Sequence, residues 1–272
     1  MNLTPPIFIG TFRHSDELVL QEIIKKSLDC GIYGFDTSPS YNTEVSLSKI
    51  LNSELSCRKI KREDIWISDK IDWWQMYNTN GVISKYVEIA LQKMGINYLD
   101  ILHIHWPFPQ YLKKTWITFK ELKDSGLVKN ISLSNVRVRH IKELIDSTSI
   151  KPDFIQIECH PLRTCKEELT YCKSHDIKVQ AYSPVCQMRN EIKEDIGISE
   201  ISKNHNKTIN QIILKWHIQN GIIPIFMTSK IHRVQENCDI FNFNLTKNEM
   251  EYIDSLNQNY KIFVESICCP GC

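Results

Sequence analysis

Gly31-Ile32-Tyr33-Gly34-Phe35-Asp36-Thr37-Ser38-Pro39-Ser40-Tyr41-Asn42-Thr43-Glu44 reads as a short buried strand ending on Asp36, a loop carrying Tyr41, and a helix opened by Asn42-Thr43-Glu44. An acid at a strand's end and a phenol a few residues later are poor core material. They suit a site where a strand delivers groups into a pocket. Two further runs repeat the theme: Ile65-Trp66-Ile67-Ser68-Asp69-Lys70 and Asp100-Ile101-Leu102-His103-Ile104-His105-Trp106-Pro107 are apolar runs that finish on titratable residues. Strand ends and the positions after them thus supply Asp36, Tyr41, Lys70 and His105, a set fitted to moving protons.

Outward from this stretch, strand-like and helical patterns alternate from end to end. Strands are predicted at Ile7–Gly10, up to Asp36, up to Lys70, up to His105, Asn130–Ser134, Phe154–Cys159, Lys178–Tyr182 and Ile222–Met227. Helices are predicted over Asp16–Cys30 with Ser15 as cap, Thr43–Leu55, Gly81–Met94, Tyr111–Leu122, Arg137–Ile145 and Lys166–His175. Further helices are predicted over Ile196–His205 and Ile209–Gln219, from near His232, and over Lys247–Leu256. Strict alternation argues for a parallel sheet, and eight units in this length fit a (β/α)8 TIM barrel with extra helices near the C-terminus. A doubly wound sheet is disfavoured because no GxGxxG follows the first strand. A single domain over 1–272 is expected, with the tail from about 258 lying over the pocket.

Bulk properties exclude several function classes. With 42% apolar and 24% charged residues the chain has an ordinary globular composition. A net charge of +1 gives no reason to expect nucleic acid or a membrane surface as partner. No apolar run approaches the roughly 20 residues of a spanning helix, and Met1-Asn2-Leu3-Thr4-Pro5-Pro6 lacks the regions of a signal peptide. A cytoplasmic monomer is expected. Ten cysteines without paired CxxC spacing read as reduced thiols, and no metal is expected.

The motifs together resemble the aldo-keto reductase family, in particular its smaller microbial members. Phe35-Asp36-Thr37, Tyr41 and Glu44 resemble its FDTAxxYxNE stretch; Lys70 matches its strand-three lysine, with Asp69 where Thr is usual. Leu102 to Pro107 resembles LIHWP, Ser132-Leu133-Ser134-Asn135 resembles GVSN, Gln156-Ile157-Glu158-Cys159-His160-Pro161 resembles QIECHP, Ala181-Tyr182-Ser183-Pro184 is AYSP, and Arg233, Glu236 and Asn237 fit RxxEN. The resemblance runs from about residue 7 to 260. It implies a barrel enzyme moving hydride from a nicotinamide cofactor to an aldehyde or ketone, with Tyr41, Asp36, Lys70 and His105 as catalytic tetrad.

The chemistry agrees with that implication. A carbonyl accepting hydride gains charge on oxygen and needs a proton donor and hydrogen-bond donors there. A phenol is a sluggish acid, and a nearby ammonium is expected to favour its phenolate. Lys70 is placed to do this, with Asp36 keeping it charged, while His105 orients the substrate oxygen in its neutral form. The resemblance also assigns Ser134, Asn135 and Gln156 to the carboxamide, Tyr182 to stacking on the nicotinamide, and Ser183, Thr228, Arg233, Glu236 and Asn237 to the rest of the cofactor. NADPH is the expected cofactor; NADH stays open because Met227 replaces the usual lysine at the 2′-phosphate. Phe12, Trp73, Trp74 and Trp106 are expected to wall the substrate pocket, with Phe263 and Ile267 closing it.

Other readings stand beside this one. Glu158 and His160 read as structural hydrogen-bonding groups of the barrel rim. His103-Ile104-His105 places two imidazoles on one face of a strand, the arrangement of a metal-dependent barrel hydrolase, but further ligands are missing; His103 reads as an inward residue with a hydrogen-bond partner. A nucleotide-binding redox-sensing subunit without turnover is the remaining alternative.

Overall fold

The computed structural model describes residues 3–265; Ile267 and the terminal cysteine cluster of the expected pocket cover lie outside them. Eight strands close in sequence order into a parallel barrel: β1 Phe8–Gly10, β2 Gly34–Asp36, β3 Trp66–Ile71, β4 Leu99–Ile104, β5 Val128–Ser134, β6 Phe154–Glu158, β7 Lys178–Tyr182 and β8 Ile222–Phe226. The crossing helices are α1 Glu17–Asp29, α2 Glu44–Arg58, α3 Trp73–Asn78, α4 Ser84–Met94, α5 Pro109–Asp124, α6 Val138–Thr148 and α7 Lys166–Ser174. They are followed by α8 Asn190–Lys193, α9 Ile196–His205, α10 Ile209–Gln219, α11 Ile231–Cys238 and α12 Lys247–Ser255. The β/α alternation and the extra helices near the C-terminus are as expected. No helix among the described residues is long and apolar enough to cross a membrane.

Side-chain caps explain several helix starts. Asp16, rather than Ser15, caps α1: its carboxylate accepts from the amides of Leu18 and Val19 at 2.9 and 3.2 Å, a stronger cap for exposed donors. Thr208 with Gln211 opens α10, and Thr246 with Glu249 opens α12, each as a reciprocal capping box. Helix α3 was not foreseen. Its six residues are too few to show a helical period, and it is nucleated where the Asp72 amide donates to Gln75 Oε1 at 2.8 Å.

Alternation along each strand sends one set of side chains outward to the helices and the other inward. The outward set, with Leu20, Ile24, Leu47, Phe119 and Trp216 from the helices, makes the main core. The inner floor is a separate apolar plug of Phe8, Ile101, Phe154 and Ile225, with Trp66 edge-on to Phe154 at 6.3 Å. Gly34 belongs to this floor. A Cβ there would sit 2.6 Å from the Phe8 ring, so the aromatic occupies the room a side chain would need. Above the floor the inward residues turn polar. The register sets Asp36 beside Ser68, Lys70 beside His103, His103 beside Ser132, and Gln156 beside Gln180.

Candidate active site

The polar layer opens at the strands' C-terminal ends into a cavity of about 550 Å³, the range of small-ligand sites. At its base Lys70 donates to Asp36 Oδ2 at 2.6 Å and to the Thr37 carbonyl at 2.8 Å. The other carboxylate oxygen of Asp36 accepts from Ser68 Oγ at 2.8 Å and Gln156 Nε2 at 2.9 Å. Burial alone would raise the Asp36 carboxyl. The charge of Lys70 and the bonds from Lys70 and Gln156 outweigh it and hold the group below the usual carboxylate range. Burial would likewise strip the Lys70 proton, but Asp36 and Tyr41 push the ammonium above its ordinary value. The pair stays ionised.

Tyr41 reaches the cavity from a turn, Pro39–Tyr41, in which Pro39 presets the first dihedral and Asn42 leaves in the left-handed region at φ 57°. The Lys70 ammonium lies 5.0 Å from the centre of its ring. Contrary to the expected lowering, the phenol is pushed up to about 12: burial dominates, and the carboxylates of Asp36 and Asp72 add to it against Lys70. Tyr41 is therefore a protonated phenol near neutrality, holding a proton to give.

His105 follows β4 and lines the cavity with its ring edge-on to Tyr41 at 5.9 Å. Its Nδ1 lies 2.5 Å from Asp72 Oδ1 and 3.4 Å from Ser38 Oγ. Asp72 escaped the sequence reading because it sits two residues past Lys70, at a boundary that looked like loop. His103 lies deeper, wholly buried, and neither ring nitrogen has a hydrogen-bond partner. That corrects the expectation of a partner. No cluster of His, Cys, Asp or Glu among the described residues is arranged to hold a metal.

Several expected ligand contacts do line the cavity: Asn135, Gln156, Tyr182, Ser183, Thr228, Arg233 and Asn237, along with Phe12 and Trp106. Others do not. Ser134 is buried with its hydroxyl unpartnered and lies off the cavity surface. Glu236 also lies off it, accepting the Thr208 hydroxyl at 2.7 Å. Trp73 and Trp74 are displaced by the unforeseen α3, which turns their rings onto Phe108 at 6.2 Å and Tyr86 at 5.8 Å, away from the cavity. Asn135 is already engaged, accepting the Tyr182 hydroxyl at 2.6 Å and donating to the His105 carbonyl at 2.9 Å. Its φ of 59° turns the chain at the end of β5.

The sequence reading missed Arg13, Gln187, Met188 and Asn210, all at the cavity wall. Asn210 sits inside a helix pattern that gives no such signal. Its Oδ1 and that of Asn237 are buried without partners. Two orphaned acceptors facing one cleft match a ligand rich in hydroxyl and amino donors, such as a dinucleotide. Met227 reaches the same wall and is 44% exposed, so no cation stands at that position. Phe263, from the tail, lies 6.2 Å from Phe12 and 5.8 Å from Tyr182, completing an aromatic roof over Tyr41.

Residues 6–258 match the sequence profile described as Aldo/keto reductase family. The chain is 32% identical over 254 residues to the oxidoreductase YtbE of Bacillus subtilis, covering 93% of this chain and 89% of the relative. It is 31% identical, over the same shares, to the glyoxal reductase of that organism. Among solved structures, a Bombyx mori aldo-keto reductase in complex with NADP superposes with a TM-score of 0.88 at 25% identity, covering 97% of this chain and 93% of that one.

Proposed function

The chain belongs to the aldo/keto reductase family, and on that premise we propose that it reduces an aldehyde or ketone to the alcohol with NADPH, Tyr41 giving the proton. The observation that carries the reading is the meeting of Tyr41, Asp36 and His105 at one cavity, with Lys70 behind them bonded to Asp36 and 5.0 Å from the Tyr41 ring. When bound, the reduced nicotinamide supplies hydride to the carbonyl carbon. The residues do the rest. Tyr41 holds its proton until charge develops on the substrate oxygen, and Lys70 stabilises the phenolate left behind. Asp36 keeps Lys70 charged and immobile. His105, lining the same cavity, is the second group available to hydrogen-bond that oxygen.

The orphaned acceptors of Asn210 and Asn237, with Arg233 beside them, suit the adenosine end of the cofactor. The silkworm reductase with bound NADP supports a phosphorylated cofactor, and Arg233 can grip a 2′-phosphate in bidentate fashion. The neutral Met227 keeps NADH in play. Installing the missing cation by Met227→Lys is expected to tighten NADPH roughly tenfold, the worth of one charge-assisted hydrogen bond. NADH binding should be unmoved; equal effects on both would place Met227 away from the phosphate. The relative named glyoxal reductase supports a small aldehyde as substrate.

The deciding experiment follows NADPH oxidation with glyoxal-type and aromatic aldehydes, in wild type and Tyr41→Phe. Turnover should fall about 10²–10⁴-fold in the variant with NADPH affinity unchanged. Cofactor binding without turnover in the wild type would favour a redox-sensing subunit instead.

A further inference from the structure

We propose that Asp72 is a positioning residue that fixes the proton pattern of His105, an inference that rests on the carbonyl-reductase reading above. Oδ1 of Asp72 lies 2.5 Å from Nδ1 of His105. An ionised carboxylate can only accept, so the hydrogen of this contact belongs to Nδ1. Nε2 is the ring nitrogen left for a ligand in the cavity that His105 lines. A neutral ring with its hydrogen on Nδ1 turns a bare lone pair toward the substrate oxygen, where the two repel. Only the imidazolium presents an N–H there. The neutral form expected from the sequence would need its hydrogen on Nε2, and the contact with Asp72 assigns it to the other nitrogen.

Asp72 is built to stay charged in this role. Burial would raise its carboxyl, but the bond and charge of His105, the Ser40 hydroxyl and Lys70 hold it below the usual range. Ser38 and Ser40 exchange a hydrogen bond at 2.9 Å and join the Pro39–Tyr41 turn to the pair. Other titratable groups lie near this pair. Lys70 and Asp36 neutralise each other at 2.6 Å, Tyr41 is a neutral phenol pushed up to about 12, and His103, pushed down to about 3, is uncharged near neutrality. Asp72 is therefore the carboxylate that faces the His105 ring and holds the hydrogen on Nδ1. A phenol as weak as Tyr41 gives the reaction reason to use a second, positively charged donor at the oxygen. Asp72 also begins α3, which ties the position of His105 to that short helix.

The test has two arms. Nitrogen-15 NMR of the wild type, labelled at histidine, reads the ring directly: His105 should carry its hydrogen on Nδ1 when neutral, and a neutral ring protonated at Nε2 would overturn the proposal. Kinetics form the second arm, as kcat and KM for reduction of a nitrobenzaldehyde with NADPH. Asp72→Asn should lower kcat about tenfold, the worth of one hydrogen bond to a charged group, with KM and NADPH affinity little changed and Asp72→Glu restoring part of kcat. A rise in KM or a loss of NADPH affinity with kcat in place would mean Asp72 only supports the fold and would sink the idea. The NMR arm decides without any variant. A wild type that turns over no aldehyde with either nicotinamide would defeat the reductase reading, while the ring measurement would still report on Asp72.

Discussion

His103 stands at the centre of the barrel, fully buried beside the Lys70–Asp36 pair and without a hydrogen bond to either ring nitrogen. Burial first, and the Lys70 charge second, push its imidazole down to about 3. The unfolded chain takes up this proton near pH 6.5, whereas the folded protein refuses it until about pH 3. Stability contributed by the neutral ring is thus intact above 6.5 and lost as pH falls through that window, about 5 kcal/mol in all. His103→Leu removes the titrating group and breaks no hydrogen bond. Urea unfolding should show it within about 1 kcal/mol of wild type at pH 7 and clearly more stable than wild type near pH 4. Equal acid sensitivity in both would place the weak point elsewhere. The strand alternation made the inward direction of His103 legible, because two residues apart on a strand share a face. Its lack of a partner was not legible, since that depends on what the neighbouring strands bring to the same level.

At the scale of elements, strand ends were the readable features. Asp36, Lys70 and His105 each close an apolar run, and a run of β-branched and aromatic residues marks its own end. Short helices were not readable: α3 has no period to show, and its appearance carries Trp73 and Trp74 off the cavity while bringing Asp72 to His105. Residues contributed by helix starts, such as Asn210, were equally silent. The floor of the barrel is fixed by a different element pairing. Strand β2 runs past β1 with Gly34 opposite Phe8, and the ring leaves a Cβ only 2.6 Å of clearance. Gly34→Ala is expected to cost about 1–3 kcal/mol by overpacking, read from denaturant midpoints. Shrinking the obstacle by Phe8→Leu in that background should recover part of the loss. No recovery would mean the cost arises from the backbone of β2.

Across the whole molecule, a buried carboxylate fixes the part of the tail that carries Phe263. Glu158, at the end of β6, accepts from the amide of Ile262 at 2.6 Å and of Phe263 at 2.9 Å, and meets His160 Nε2 at 3.1 Å. The carbonyl of Leu162 adds bonds from Gln258 and Tyr260 at 3.1 and 3.0 Å. Glu158 and His160 were readable as rim residues, but the strap they hold lies a hundred residues away, beyond any local pattern. Through these bonds the ring of Phe263 is set against Phe12 and Tyr182. Glu158→Ala leaves two amides without their acceptor, so the strap should loosen and the roof over Tyr41 should open. Arg233 and Asn237, proposed for the adenosine end of the cofactor, stand on α11, outside the strap. KM for a bulky aromatic aldehyde should therefore rise about five- to tenfold, the worth of an aromatic contact of roughly 1–1.5 kcal/mol. A small aldehyde that never reaches the roof should be reduced nearly as before, and NADPH should bind unchanged. Phe263→Ala should reproduce the same split, and the two substitutions together should do no more than either alone. Additive losses would mean that Glu158 acts on the pocket by some route other than the Phe263 ring.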